Sequence, residues 1–164
     1  MDLFLALPLL YVFANTVVTL AHELGHAAVP LTFTRQPVTV RLGPIFSRPL
    51  FQMQLGRVTL DVRRLFFTIG YCTWQGRLNV RQHFWAVAGG PLASLLMLAL
   101  GAVALLGIRT ELTWTVAQVF ITVSFLQLLL TLWPQRYAAG IFKDTPLDSD
   151  GARLLRLWPR LRAG

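Results

Sequence analysis

The chain has 164 residues, enough for one domain, and 55% of them are hydrophobic while only 13% are charged. This composition excludes an ordinary soluble globular protein, in which about a quarter of the residues carry a charge. The single cysteine, Cys72, excludes an internal disulfide and is best read as a packing residue. The formal charge of +8 makes nucleic acid and anionic lipid the partners to consider.

The first predicted element is a membrane-spanning helix over about residues 4–33. Residues 3–21 contain no charged side chain, and this length approaches the roughly 20 residues that a bilayer crossing needs. The start of the chain does not resemble a signal peptide. Asp2 stands where a basic region is expected, and no clear small-residue cleavage site follows.

The same helix contains the stretch HELGH at residues 22–26. His22 and His26 are four residues apart and share one helix face, where two imidazoles can bind one zinc ion. Glu23 stands between them in sequence and can act on a water molecule as general base. Ionisable groups are expensive within a membrane span, so they favour a functional site over a set of polar side chains that only satisfy one another.

The next segment, residues 36–75, is predicted to form short β-strands on the cytoplasmic side. The stretches PVTVRLG, FQMQLGRVTLDV and LFFTIGYCTW are rich in Val, Thr, Phe and Ile and partly alternate, with Gly and Pro breaks. Open strand edges are not stable against lipid, so we expect them at the membrane surface or covered by protein. An unpaired edge there can bind an extended peptide as an added strand, although a purely structural sheet explains the pattern equally well.

Two further spans and a short helix complete the predicted architecture. Residues 84–108 and 112–134 are uncharged runs long enough to cross a bilayer. The final stretch GARLLRLWPRLRAG places Leu and Trp among arginines, which predicts a short interfacial helix. We therefore expect an α-helical membrane protein that is a single unit over residues 1–164. It has three transmembrane helices, a small β-sheet segment between the first and second, and a short C-terminal interfacial helix.

The positive charges alternate along the chain. Eight of the 15 Lys and Arg residues lie between the first two spans, six follow the third, and Arg109 alone lies in the turn between the second and third. By the positive-inside rule, residues 34–82 and the C-terminus are cytoplasmic and the N-terminus is outside. This distribution favours anionic headgroups of the lipid bilayer over nucleic acid as the partner. We expect an integral multi-pass protein of a prokaryotic cell membrane.

A catalytic zinc site needs a third protein ligand and an open position for water. Residues 27–60 contain no His, Cys, Asp or Glu, so that ligand must come from farther along the chain. Glu111 falls on the outer side, His83 fits an interfacial position beside Trp85, and Asp61 alternates with apolar neighbours as a solvent-facing residue would. The sequence pattern does not choose among the three candidates that follow the third span: Asp144, Asp148 and Asp150.

Three motifs resemble the site-2 protease family of intramembrane zinc metalloproteases, in the expected order. They are HELGH in the first span, AGGPLAS in the second and SDG after the third, where the following ARLL resembles the S-D-G branch. The resemblance covers nearly the whole chain. It implies one Zn²⁺ per chain bound by His22, His26 and Asp150, with Glu23 as the general base and Asp148 as the runner-up for the third ligand.

Two positions depart from the family pattern. Ser94 in GGPLAS and Thr131 in TLWP stand where the family usually has Asn. The longer distance from Thr131 to Asp150 leaves the path of residues 135–149 open. Small residues, among them Gly25 and Gly89, are expected to let the helices pack closely around the site.

The resemblance implies a zinc metalloendopeptidase of regulated intramembrane proteolysis, which hydrolyses peptide bonds in or near transmembrane segments of membrane proteins. Its substrate is expected to be a transmembrane helix that unwinds before cleavage. A catalytically silent adaptor with a structural metal site and a metal-handling membrane protein remain as alternatives. Glu23, which is not a ligand, favours catalysis, and the few polar residues of the second and third spans disfavour transport. Neither the substrate-binding residues nor the oligomeric state can be assigned.

Overall fold

The computed structural model describes residues 3–67, 69–107, 110–137 and 147–162. Its helices are α1 (Leu3–Phe33), α2 (Val80–Gly107), α3 (Glu111–Leu132) and α4 (Asp150–Arg162). Its strands are β1 (Val38–Leu42), β2 (Pro49–Leu55), β3 (Val58–Arg63) and β4 (Gly70–Trp74). The predicted fold class is confirmed, because α1, α2 and α3 are each long and apolar enough to cross a membrane, the sheet lies between the first two, and a short helix follows the third.

Local capping explains where the second and third long helices begin. Asn79 Oδ1 accepts from the backbone N–H of Gln82 at 2.8 Å, and Gln82 Oε1 accepts from the N–H of Asn79 at 3.1 Å, which is a reciprocal capping box. This cap starts α2 a few residues before the predicted span. Thr110 is the N-cap of α3, and Pro134 follows shortly after the end of that helix, where proline disfavours continuation.

The three long helices pack through small side chains and turn large apolar ones outward. α1 packs against α2 and α3, which also pack against each other. Gly25 of α1 and Gly89 of α2 lie so close that a Cβ on either would overlap the backbone carbonyl of the other, as the small residues predicted. Apolar side chains that a bilayer would cover are exposed on all three helices, among them Phe13, Leu96 and Phe125.

The predicted strands form one mixed sheet in the order β2-β3-β1-β4. β1 pairs parallel with β3 and antiparallel with β4, while β2 pairs antiparallel with β3. Val38 and Val40 of β1 are buried against Ala27 of α1, and β4 also packs on α1. The sheet is therefore fixed to the half of α1 that carries HELGH, with β4 as the edge strand nearest to it.

The prediction that Asp61 faces solvent is wrong. Its side chain on β3 is buried, and its Oδ2 accepts from Arg41 Nε at 2.7 Å and from Arg63 Nε at 3.1 Å. Arg41 stands opposite Asp61 on β1. Alternation along one strand cannot reveal a charged partner on another, and a carboxylate paired with two guanidinium groups can be buried.

The connection between α3 and α4 returns the chain to the end of α3. The backbone N–H of Tyr137 donates to the carbonyl of Leu147 at 2.8 Å, and the N–H of Ser149 donates to the carbonyl of Gln135 at 2.9 Å. Residues 138–146, which include the candidate Asp144, lie outside the described residues, as does Arg109. The pairing on either side of this segment brings the start of α4 back to α3, and α4 also packs against α2.

Candidate metal centre

Two histidines of α1 form one wall of a buried cluster. The helical spacing places His22 and His26 on the same face, with exposures of 3% and 6%. Their rings stand nearly perpendicular, with centroids 4.7 Å apart, and their Nε2 atoms are 3.1 Å apart. Both Nε2 atoms therefore point at one common position.

Residues of α2 contact the second ring nitrogen, Nδ1, of each histidine. His26 Nδ1 lies 2.9 Å from the backbone carbonyl of Ala86, and His22 Nδ1 lies 2.8 Å from the hydroxyl of Ser94. A carbonyl oxygen only accepts, so His26 carries its proton on Nδ1 and presents a lone pair on Nε2. Hydrogen bonds of this kind orient metal-binding imidazoles.

Helix α4 completes the cluster with Asp150. Its Oδ2 lies 3.1 Å from His22 Nε2 and 3.3 Å from His26 Nε2. Asp148 lines the same cavity but pairs with Arg136 at 3.2 Å and with Arg156, and it does not belong to the group with metal-ligand spacing. The structure thus brings Asp150, and not Asp148, to the pair on α1.

The other candidates from the sequence lie elsewhere among the described residues. Asp61 is committed to its two arginines in the sheet. His83 stands at the start of α2 with its ring centroid 6.1 Å from that of Trp74, and Glu111 is exposed in the first turn of α3. Within the described ranges, the group with metal-ligand spacing is His22, His26 and Asp150.

A cationic side chain stands behind the carboxylate. Arg153 Nη1 lies 3.6 Å from Asp150 Oδ1, on the side away from the histidines. Burial raises the pKa of the Asp150 carboxyl, but hydrogen bonds from His22 and His26 and the positive charge of their protonated rings outweigh burial and hold the pKa well below its usual range. Asp150 is therefore an anion in this cluster.

The three donor atoms fit a tetrahedral metal ion. Their separations of 3.1–3.3 Å form a nearly equilateral triangle. A tetrahedral zinc ion with bonds of about 2.0–2.1 Å separates its ligands by about 3.3 Å. Gly90 of α2 leaves room at the histidines, because a Cβ there would overlap His26 Nε2 and lie 2.8 Å from His22 Nε2. Nitrogen lone pairs and a carboxylate at such distances repel unless a cation, either a metal ion or a proton on one of the imidazoles, lies between them.

Glu23 lies beside this cluster without belonging to the triangle. It is buried and lines the same cavity as His22, His26 and Asp150. Gly70 at the start of β4 approaches it closely, because a Cβ at that position would collide with the Glu23 side chain. The arrangement therefore sets three metal-type ligands and one free carboxylate around a single cavity.

Ser94 and Arg153 were not predicted as site residues. The sequence marked Ser94 only as a departure from the usual Asn, which was the available signal for its contact with His22. Arg153 follows Asp150 by one helical turn, and this spacing was the signal for its contact with the carboxylate.

The fold and the site define a helical protein of the multi-pass membrane type with a buried two-histidine, one-carboxylate cluster. The sequence model of the Peptidase M50B-like family matches residues 3–143, which is most of the chain. The chain belongs to this family, the site-2 protease family that its motifs resemble. No curated protein matches the sequence at a level that marks a relative. The family match ends before Asp150, so membership of the S-D-G branch stays a prediction.

Proposed function

We propose that this protein is an intramembrane zinc metalloendopeptidase that hydrolyses peptide bonds in or near transmembrane segments of membrane proteins. The observation that carries the proposal is the triangle of His22, His26 and Asp150 beside the free carboxylate of Glu23 in one buried cavity. Membership of a peptidase family supports the same reaction class. One Zn²⁺ per chain matches a set of two imidazole nitrogens and one carboxylate oxygen.

The number of ligands favours a catalytic over a structural metal site. Structural zinc sites are closed by four protein ligands, whereas catalytic sites use three and keep one position open. The group within the described residues has three members. A silent adaptor or a metal-handling protein would have no use for a fourth ionisable side chain, Glu23, that faces the cavity without being a ligand.

The residues divide the chemistry between them. A zinc ion at this site would lower the pKa of a water molecule and polarise the scissile carbonyl. Glu23 accepts the proton of the attacking water and donates it to the leaving amine nitrogen. Ser94 and the carbonyl of Ala86 keep the imidazoles oriented, and Arg153 holds the far oxygen of Asp150.

The sheet supports an extended substrate. A peptide bond inside a helix is hydrogen-bonded and sterically covered, so a transmembrane substrate must unwind before cleavage. β4 is an edge strand, and Gly70, Tyr71 and Cys72 of β4 line the cavity beside Glu23. An unwound segment can pair with this edge as an added strand and place its carbonyl near Glu23.

Three apolar helices and the distribution of charge support the membrane setting that we propose. Residues 34–82 and the C-terminus are cytoplasmic and the N-terminus is outside, in a prokaryotic cell membrane. The basic tail meets anionic headgroups through α4, in which Arg162 stacks over Trp158 at 4.9 Å.

Zinc content and cleavage test the proposal together. Purified protein in detergent should contain one zinc per chain and cleave a fused transmembrane substrate. Glu23→Gln should keep the zinc and lose at least about 100-fold in cleavage rate, because the general base is removed while the ligands stay. A Glu23→Gln variant that cleaves like wild type would show that the proposed mechanism is wrong.

Two alanine variants test the third ligand. Asp150→Ala should lose zinc and activity, whereas Asp148→Ala should retain both, because Asp148 contacts Arg136 and Arg156 instead of the histidines. Zinc lost from Asp148→Ala and kept by Asp150→Ala would reverse the assignment.

A further inference from the structure

We propose that the side-chain amide of Gln127 on α3 binds the backbone of the unwound substrate segment within the membrane. This inference rests on the proposed function and names a residue that receives the substrate. Gln127 would satisfy peptide groups that the substrate exposes when its helix opens.

The cavity that holds the metal centre continues along α1 and α3. It has a volume of about 650 Å³ and is lined by polar side chains at helical spacing on both helices. On α1 the row is Asn15, Thr19 and Glu23, and on α3 it is Gln127 and Thr131. This row of polar side chains leads away from the candidate metal ligands. The cavity therefore has polar groups beyond the position of the reacting atoms.

Gln127 is the member of this row with an unmet hydrogen bond. Its Oε1 is buried and has no hydrogen-bond partner among the described residues. By contrast, the Asn15 amide donates to the carbonyl of Phe67, and Thr131 Oγ1 donates at 2.9 Å to the backbone carbonyl of residue 127. A buried polar atom without a partner is costly, above all within a membrane span, and because Gln127 lines the cavity, a ligand bound there can supply the missing partner.

The position of the cavity identifies the ligand as peptide backbone. β4 and α3 both line the cavity and both pack on α1, but within the described residues they do not pack against each other. A segment paired with the edge of β4 therefore lies in the gap before α3. The backbone groups of the substrate that do not pair with β4 need other partners. A glutamine amide supplies an NH2 group as donor and a carbonyl oxygen as acceptor. The apolar remainder of the wall, with Val123, Leu126 and Leu130, suits the side chains of a membrane segment.

A kinetic comparison tests the role of the amide. Gln127→Leu should keep one zinc per chain and lower kcat/KM for a transmembrane substrate about tenfold, because a buried peptide group of the substrate loses its partner. The same variant should unfold at an equal or higher temperature than wild type, since it removes an unsatisfied buried group. A purely structural glutamine would give the opposite result, with reduced thermal stability. Gln118→Leu is the matched control, because Gln118 lies on α3 outside this cavity.

A crosslinking experiment tests contact without turnover. In a Glu23→Gln, Cys72→Ala background, and with diamide added as the two-electron oxidant, Gln127→Cys should form a disulfide with a substrate that carries one cysteine near its scissile bond. Phe125→Cys is the control, because Phe125 is exposed on α3 and does not line the cavity. Crosslinking at position 125 and not at 127 would overturn the inference, as would equal cleavage by Gln127→Leu and wild type.

The two proposals fail in different ways. Cleavage by wild type that is unchanged in Gln127→Leu rejects the role of Gln127 and leaves the protease intact. Failure of the zinc-loaded wild type to cleave rejects the proposed function, while the crosslink at position 127 still decides whether an unwound membrane segment binds there. If Gln127 serves only a path for water, the crosslink at position 127 does not form.

Discussion

At the scale of single residues, each member of the candidate metal centre is oriented by a contact on the side away from the common position. A backbone carbonyl orients His26, a hydroxyl orients His22 and a guanidinium group faces Asp150. The Ala86 carbonyl cannot be removed by substitution, whereas Ser94 can. Ser94 is therefore the most direct probe of this outer layer of contacts.

Ser94→Ala should weaken zinc binding by about 10- to 100-fold, because His22 loses the partner that fixes its ring and tautomer. Competition with a chromophoric chelator measures this affinity. Ser124→Ala is the matched control, since Ser124 is equally buried and its hydroxyl has no hydrogen-bond partner among the described residues. Equal zinc affinity in the two variants would contradict the orienting role of Ser94.

The local sequence pattern predicted the site residues that lie close together along the chain. His22, Glu23 and His26 follow from helical spacing within five positions. Asp150 lies 128 positions after His22, and in the sequence only the family resemblance favours it over Asp148. The contacts of Ser94 and Asp61 could not be predicted from the local sequence, because each side chain has a partner on another element.

At the scale of elements, Ser149 joins the end of α3 to the start of α4. Its hydroxyl donates to the carbonyl of Trp133 at 2.7 Å and accepts from the backbone N–H of Gln135 at 3.1 Å and of Ala152 at 3.3 Å. Ser149 is thus both the cap of α4 and the anchor of that helix on α3. Because Asp150 is the next residue, this anchor sets the position of the carboxylate in the candidate metal centre.

Ser149→Ala should lower the free energy of unfolding by about 1 kcal/mol and weaken zinc binding, because the cap and the tie to α3 are lost together. Thermal unfolding in detergent and chelator competition measure the two effects. Ser47→Ala is the control, since Ser47 makes a comparable hydroxyl contact, to the carbonyl of Pro44, in the loop before β2. A variant that loses stability but keeps the zinc affinity of wild type would show that α4 does not depend on Ser149 for its position.

Asp61→Asn should lower the free energy of unfolding by about 2 kcal/mol, because a buried carboxylate that accepts from two arginines becomes a neutral amide. Asp148→Asn should cost less than about 1 kcal/mol, because Arg136 and Arg156 are 78% and 59% exposed and solvent screens those pairs. Denaturation of both variants in the same detergent compares them. An equal loss would mean that burial in the sheet adds nothing to the pairing.

The sequence predicted that the strands exist, but not the order in which they pair. Alternation and breaks mark β1 to β4 one by one, whereas the parallel pairing of β1 with β3 places β2 outside the pair. Pairing of this kind depends on the packing of Val38 and Val40 on α1, which strand patterns do not contain. The same limit applies to α4, because its sequence pattern predicted an interfacial helix but did not contain the contact of Asp150 with the histidines of α1.

At the scale of the whole molecule, the position of the candidate metal centre along α1 makes the proposed zinc chemistry compatible with a membrane span. His26 lies seven residues before the end of α1 at Phe33, which is about 10 Å along the helix axis. The sheet packs on this end of α1, and the cavity is lined by β4 on that side. Water therefore needs to reach only part of the way into the bilayer, and the direction from which it comes depends on the topology.

Cysteine labelling in intact cells tests that topology. In a Cys72→Ser background, single cysteines replace Thr110 between α2 and α3, Gln54 on β2 and Arg160 on α4, all of which are exposed. An impermeant maleimide should label position 110 in intact cells and positions 54 and 160 only after permeabilisation, because we propose that the arginine-rich segments face the cytoplasm. Reversed labelling would place the sheet and the metal centre near the outer surface. Labelling of all three positions from one side would contradict three crossings.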